Sequence, residues 1–336
     1  MNTNYANKKY YGVFFLVTVF LFFSFYTPAL AQARDSDVSV AVNPETPGPN
    51  QDVILTLTSF AVDLDKAQIS WRLNSQLGLL GIGRKSFTFK TGESGNLSTI
   101  DVNIALPGFP SLNKRIIIQP GEVDLLWEAT DSFVPPFYRG KALLSSEGEI
   151  RVTAVPNIVT PAGVKLADAD FSYNWKRNFK NDQGLSGYGK RSFTFKNSYL
   201  EGAENIDVSV SSVLGNYNAE GKVSITPGSP KIVFYEKDPF SGIKYNKAIV
   251  DGFTLQSKEL QITAVPYFFS TPSNFSDLKF GWSINNSSIT TPVSPNNLIV
   301  EIGSETGGSS KISLLIENLS RLFQTASTSL LLNIPQ

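Results

Sequence analysis

The 336-residue chain contains no cysteine and no histidine. The first absence removes disulfides, thiol nucleophiles, cysteine-ligated metals and a lipid-modified cysteine. The second removes Ser-His-Asp and Cys-His catalysis and the usual zinc sites, and leaves no side chain that titrates near neutrality unperturbed. An excess of one charge is missing too. Basic and acidic residues number 29 each, so the basic surplus of a nucleic-acid binder is lacking. Beyond Phe25 no apolar run is long enough to cross a bilayer. A convincing amphipathic helix is also absent; Ile312–Leu322 comes nearest, and its neighbours favour a strand or turn.

What is present begins with an export signal over residues 1–33. Lys8 and Lys9 precede the apolar run Val13–Phe25, and Ala29-Leu30-Ala31 or Ala31-Gln32-Ala33 offers small residues for cleavage. Left uncleaved, Tyr11–Ala31 would have the roughly 20 residues that a membrane anchor needs. Either way the rest is expected outside the cytoplasm, secreted or on the cell surface, touching a membrane only through that segment. Without disulfides such a chain depends on burial alone, which about 300 residues in domains of about 100 can supply.

The chain repeats itself. Gly81-Ile82-Gly83-Arg84-Lys85-Ser86-Phe87-Thr88-Phe89-Lys90 returns as Gly187-Tyr188-Gly189-Lys190-Arg191-Ser192-Phe193-Thr194-Phe195-Lys196. A tryptophan closes a strand in the same phase three times, at Trp71, Trp175 and Trp282. Strands ending in proline recur at Pro120, Pro227 and Pro335, and Val152-Thr153-Ala154-Val155-Pro156 matches Ile262-Thr263-Ala264-Val265-Pro266. These phases place modules at 37–120, 121–227 and 228–336. Short junctions such as Gln119-Pro120-Gly121-Glu122 suggest a semi-rigid rod. Within a module, β-branched residues alternate with polar ones between Gly, Pro, Asn and Asp clusters. In the first module the strands are expected near 37–43, 52–60, 67–73, 84–90, 98–105 and 113–119, with one further short strand. A third copy of the Ser-Phe-Thr-Phe-Lys strand is expected around Asn297–Ile302, without the basic pair.

Asp63-Leu64-Asp65 and Asp168-Ala169-Asp170 precede Trp71 and Trp175. An Asp-bearing loop leading into an aromatic-x-Trp strand, then alternating strands and a tight junction, resembles the tandem immunoglobulin-like and polycystic-kidney-disease-type modules of bacterial surface proteins. The pattern departs after the tryptophan, where Arg72-Leu73-Asn74, Lys176-Arg177-Asn178 and Ser283-Ile284-Asn285 replace an Asp-Gly-rich turn. The resemblance implies an extracellular structural or adhesive role and supplies no catalytic residues. The expected fold is all-β: three tandem immunoglobulin-like antiparallel β-sandwiches after the N-terminal segment.

Candidate functional residues are few. Asp63, Asp65, Asp168 and Asp170 are candidate calcium ligands, read first as turn-forming side chains. Arg84, Lys85, Lys190 and Arg191 form a candidate basic patch for an anionic surface polymer, read first as solvated strand ends. Phosphate loops need a helix after the glycines, and here a strand follows. Long insertions follow the first strand of modules two and three, Trp127–Ala142 and Tyr235–Ala248. Their Phe137, Tyr138, Phe240 and Tyr245 either pack at a junction with the preceding module or form a ledge for a sugar or a protein. No cofactor is expected. The chain reads as a non-enzymatic structural or adhesion protein, with surface proteins or cell-surface polysaccharide as partners. The alternative is a carbohydrate-binding protein using the insertion aromatics.

Overall fold

The computed structural model describes residues 35–107, 110–200, 202–213, 217–290, 294–301, 303 and 307–335. The export segment lies outside the described residues. Contacts divide the chain into two compact units. The first holds the described residues up to Glu45, with Val53–Phe89 and Ser98–Ile117; the second holds Thr46–Asp52, Lys90–Leu97 and residue 118 onward.

The first sandwich uses β1 (Val38–Asn43), β2 (Asp52–Ser59), β3 (Gln68–Leu73), β4 (Gln76–Ile82), β5 (Ser86–Lys90), β6 (Ser98–Ala105) and β7 (Leu112–Ile118). One sheet runs β1-β2-β5 and the other β4-β3-β6-β7. Alternation decides the faces: in β2, Val53, Leu55 and Leu57 are buried, and in β6, Ile100, Val102 and Ile104 are. Trp71 is fully buried and stacks on Phe87 with centroids 5.5 Å apart.

The second sandwich repeats the plan with β8 (Glu122–Ala129), β9 (Glu149–Asn157), β10 (Phe171–Arg177), β11 (Lys180–Asn181), β12 (Gly187–Tyr188), β13 (Ser192–Lys196), β14 (Glu204–Ser212) and β15 (Asn218–Ile225). Its sheets run β13-β9-β8 and β11-β10-β14-β15, with β12 also on β10. The third uses β16 (Lys231–Asp238), β17 (Gly242–Ala248), β18 (Phe253–Thr254), β19 (Glu259–Tyr267), β20 (Leu278–Ile284), β21 (Ser287–Ile289), β22 (Asn297–Glu301), β23 (Gly308–Asn318) and β24 (Thr325–Ile334). Its sheets run β17-β16-β19-β22 and β18-β24-β23-β20-β21. Two packed sheets, antiparallel apart from the short parallel pair β18–β24, with the tryptophan strand inside the second, make each an immunoglobulin-like sandwich in which the strand after the tryptophan strand joins the tryptophan sheet.

Two features recur in every sandwich. The buried indole N–H must find an acceptor, and it always finds a carbonyl in the turn before the next inner strand. Trp71 Nε1 donates to the Arg84 carbonyl, Trp175 Nε1 to that of Lys190, and Trp282 Nε1 to that of Pro295, each at 2.8 Å. The second feature explains the asparagines after the tryptophans. Asn74-Ser75, Asn178-Phe179 and Asn285-Asn286 all have positive φ, 48° at each leading asparagine. Such two-residue turns match the strand twist and favour asparagine first. Each leading asparagine also bridges to the neighbouring strand. Asn74 Oδ1 accepts from Thr99 N–H at 2.9 Å, Asn178 Oδ1 from Asn205 N–H at 2.9 Å, and Asn285 Oδ1 from Lys311 N–H at 2.8 Å.

The observed strands differ from expectation in one place. The short extra strand of the first module is the seven-residue β4, hidden in the sequence because Gly78 and Gly81 interrupt its pattern and a bulge shifts the register between Trp71 and Arg72. β22 pairs with β19 as β13 pairs with β9, so the basic-pair strand has its third copy at Asn297–Glu301.

Replacing Asn178 by alanine removes the Asn205 contact and places a Cβ residue without a local partner at positive φ. Denaturant unfolding of the second unit is expected to lose about 2 kcal/mol. Asn178→Gly restores the backbone part of that loss and leaves the hydrogen-bond part.

Candidate functional site

The acidic and basic candidates turn out to be neighbours. Lys85 Nζ lies 2.9 Å from Asp65, and Arg191 NH1 lies 2.6 Å from Asp168 Oδ2. Asp63 is bound by Lys66 at 2.9 Å and accepts the Asp65 N–H at 3.1 Å. Asp170 Oδ2 accepts the Ala167 N–H at 3.3 Å. The side-chain bond from Lys66 is the main force holding the Asp63 carboxyl below its usual range. Arg84 and Lys190 contribute through their carbonyls, which take the indole hydrogen bonds, and Lys190 Nζ donates to the Gly184 carbonyl at 2.7 Å. Each pair is exposed and worth at most about 1 kcal/mol. Among the described residues, no group of three Asp or Glu side chains stands where it could hold a metal ion.

The two insertions diverge. The stretch 130–147, between β8 and β9, is tied to the sandwich that follows it. Phe133 N–H donates to the Phe269 carbonyl and Phe268 N–H donates to the Phe133 carbonyl, both at 2.8 Å. Ser145 Oγ donates to the Phe268 carbonyl at 2.6 Å, and Gly228 N–H to the Leu144 carbonyl at 2.7 Å. Phe133 meets Phe275 edge-on at 4.8 Å, and Tyr138 meets Tyr267 at 5.7 Å. Phe137, beside them at φ 64°, is 93% exposed. The second insertion folds back as the hairpin β16–β17. Phe240 is fully exposed at its tip, while Tyr245 packs edge-on against Tyr235. Asp238 holds that tip, its carboxyl lowered mainly by the backbone N–H groups of Ser241 and Phe240.

The centre of the junction is Gln324, fully buried with every amide position used. Its Nε2 donates to the Ser146 carbonyl at 2.7 Å and to Ser270 Oγ at 2.8 Å. Its Oε1 accepts from Ser270 N–H at 2.8 Å and from Asn318 Nδ2 at 3.0 Å. Beside this network lies a polar cavity of about 490 Å³ that includes Asp131, Phe133, Asp277 and Arg321. Asp131 Oδ2 and Arg321 Nε are buried without a hydrogen-bond partner, and Arg321 NH2 stands 3.9 Å from that carboxylate oxygen. Nothing in the local sequence marks Gln324; only its position opposite Ser146 and Ser270 in space does.

A buried ion pair braces the second sandwich. Arg177 makes two 2.9 Å bonds to Glu204, which is fully buried, and its guanidinium lies 4.1 Å from the Phe195 ring. Burial pushes the Glu204 carboxyl up, but Arg177, Asn178 and the Ser198 N–H together outweigh it, and the net shift is downward.

No protein-family model matches the chain, and no curated protein matches it. Solved structures do. The three N-terminal domains of the bacteriophage RB49 highly immunogenic outer capsid protein align over 89% of this chain and 98% of that one, at 11% identity and TM-score 0.25. The central fibronectin-III array of RIM-binding protein aligns over 91% and 99%, at 13% identity and TM-score 0.29. Fibronectin(III)-like modules of Clostridium thermocellum CbhA align over 56% and 94%, at 10% identity and TM-score 0.27. All are arrays of immunoglobulin-like or fibronectin-like domains. At such scores the architecture stands on the strand order described above, not on these likenesses.

Because the folded Glu204 is more acidic than a free glutamate, its contribution is full above about pH 4.3 and is lost as pH falls through the folded value. The melting temperature of the second unit is expected to drop between about pH 5 and about pH 3, one unit either side of the free value. Glu204→Gln is expected to remove part of that drop.

Proposed function

We propose that the chain is a non-enzymatic structural or adhesion protein of the cell exterior, whose second and third sandwiches act as one rigid piece. The junction around Gln324 carries this reading. A flexible linker would need neither a two-way backbone exchange between Phe133 and Phe268–Phe269 nor a buried glutamine satisfied at four positions. Fully satisfied buried networks fix one geometry, because partial satisfaction is costly in a low dielectric. The remaining design supports the same reading: each sandwich spends its tryptophan and post-tryptophan asparagine on its own framework, and the first two do the same with the Asp–cation pairs beside the tryptophan strand. Partners would be surface proteins or cell-surface polysaccharide, reached from outside the cytoplasm after export through residues 1–33.

A second reading is favoured by two observations. Phe137 and Phe240 expose almost their whole rings, and exposed aromatics stack on sugar rings or anchor a protein partner. A cell-wall polysaccharide pull-down that vanishes with Phe137→Ala and Phe240→Ala, folding intact, would support carbohydrate binding.

Spin labels test the rigid junction. The chain has no cysteine to interfere, so labels at Lys196→Cys and Lys311→Cys, both exposed, report on sandwiches two and three alone. A narrow distance distribution is expected, broadening with Gln324→Ala, which leaves the Ser270 N–H without its acceptor at about 1–3 kcal/mol and the Ser146 carbonyl without its donor, while Asn318 Nδ2 keeps the Ser270 carbonyl. A distribution already broad in the unsubstituted background would sink the proposal.

A further inference from the structure

β4 differs from the other described edge strands. It ends the order β4-β3-β6-β7, and among the described residues nothing pairs with its free side. Its residues Gln76-Leu77-Gly78-Leu79-Leu80-Gly81-Ile82 include no charge and no proline. Edges are normally guarded by charge, proline or shortness. The counterparts of β4 are guarded: the second sandwich has only the two-residue β11 and β12, and the third has only the three-residue β21. At the other end of the same sheet, β7 carries Lys114 and Arg115. β1 is uncharged as well, but its outer positions are Ser39, Ala41 and Asn43. On β4 the outer positions are Leu77, Leu80 and Ile82, which are 56%, 51% and 71% exposed.

The hydrogen-bond phase sets a register. Gly83 N–H donates to the Ala67 carbonyl at 3.0 Å, so that pair is a hydrogen-bonded one. Antiparallel pairs alternate. The pair Ile69–Gly81 is then hydrogen-bonded, and Ser70–Leu80 is not. The N–H and carbonyl of Leu80 therefore point to the open side. We propose that two copies of this chain pair antiparallel through β4, about a two-fold axis at Leu80. A two-fold axis brings like to like, and β4 itself has no charge to face its own copy; Arg84, from the following turn, lays its side chain against Gly81 and swings outward on pairing. Leu80 exchanges two backbone hydrogen bonds with the Leu80 of the second copy. On the inner face Leu79 comes opposite the second copy's Gly81, where it takes the place of the Arg84 side chain that covers that glycine in the single chain. On the outer face Leu77, Leu80 and Ile82 of both copies join into one apolar stripe that leaves water. The bulge beside Gly78 confines the pairing to a short stretch, which keeps the dimer reversible.

The absence of cysteine makes the test clean. In a hydrogen-bonded antiparallel pair the Cα atoms are about 5.5 Å apart, within disulfide span. Leu80→Cys in the full chain, held in mild detergent and oxidised with diamide, is expected to run mostly as a covalent dimer on a non-reducing gel. Ala41→Cys, on the β1 edge, is expected to stay monomeric. Sedimentation of the unsubstituted chain at about 100 μM, above the micromolar range of weak interfaces, is expected to give twice the monomer mass. Leu80→Lys, with an unchanged circular-dichroism melt, is expected to halve it; Ile82→Lys serves if Leu80→Lys does not fold. Equal cross-linking at both positions overturns the proposal, and so does a Leu80→Lys chain that still dimerises. A monomeric unsubstituted chain also overturns it, even one that binds an added apolar peptide, since that gives the edge to another partner.

Discussion

Each sandwich is organised around one obligation: a tryptophan side chain buried between two sheets carries an N–H that water cannot reach. An unpaired buried donor costs about 1–3 kcal/mol, so the chain must bring a carbonyl to the indole. It does so from the turn leading into the opposite sheet's Phe-rich strand, or its Leu298–Val300 equivalent. That single bond couples the two sheets, because the tryptophan belongs to one and its acceptor leads into the other. The Gly-x-Gly-basic-basic sequence is the shape of that turn. Glycines at positive φ, 67° at Gly83 and 69° at Gly189, steer the backbone so that the Arg84 and Lys190 carbonyls face inward. Their side chains are left outside. The third sandwich reaches the same end with the Pro295 carbonyl and no basic pair, so the geometry is the constant and the charge is not.

Where the sequence is periodic, the fold is legible in it. The repeats of tryptophan, terminal proline and alternating strands lead to three sandwiches, and the Trp-x-x-Asn spacing lies in plain view at residues 71–74, 175–178 and 282–285. Its meaning becomes visible only when the asparagine is seen at positive φ with its Oδ1 on the next strand. β4 stays hidden because two glycines and a bulge break the period on which strand recognition rests. Gln324 stays hidden for another reason. Its partners Ser146 and Ser270 are 178 and 54 residues away in sequence, and long-range polar complementarity leaves no local pattern.

The insertions show how far alignment in sequence can mislead. Both hold an aromatic-Glu pair, a Pro-Phe step, a tyrosine and Lys-Ala in the same order, which invites one role for both. Their backbones diverge at the turn. Asp238 accepts the N–H groups of Phe240 and Ser241, which closes a hairpin early and turns the second insertion into an added edge strand. In the first, Asp131 is occupied with the Glu149 N–H at 2.9 Å, and Phe133 is left free to exchange hydrogen bonds with Phe268 and Phe269. One carboxylate, aimed forward at its own turn or sideways at a neighbouring strand, separates a free hairpin from a clamp.

The three sandwiches also divide the labour of their edges. In the second, the strand next to the tryptophan strand is cut into β11 and β12, since Ser186 Oγ donates to the Asp182 carbonyl and accepts the Trp175 N–H between them. A serine hydroxyl thus replaces a ladder partner, and the edge cannot extend. In the third, β21 stops after three residues. Only in the first does the strand run for seven residues with backbone groups and leucines both facing out. A protein that blunts this edge twice and leaves it open once has the means to close it, so the open copy is the one that selection for a monomer would have removed.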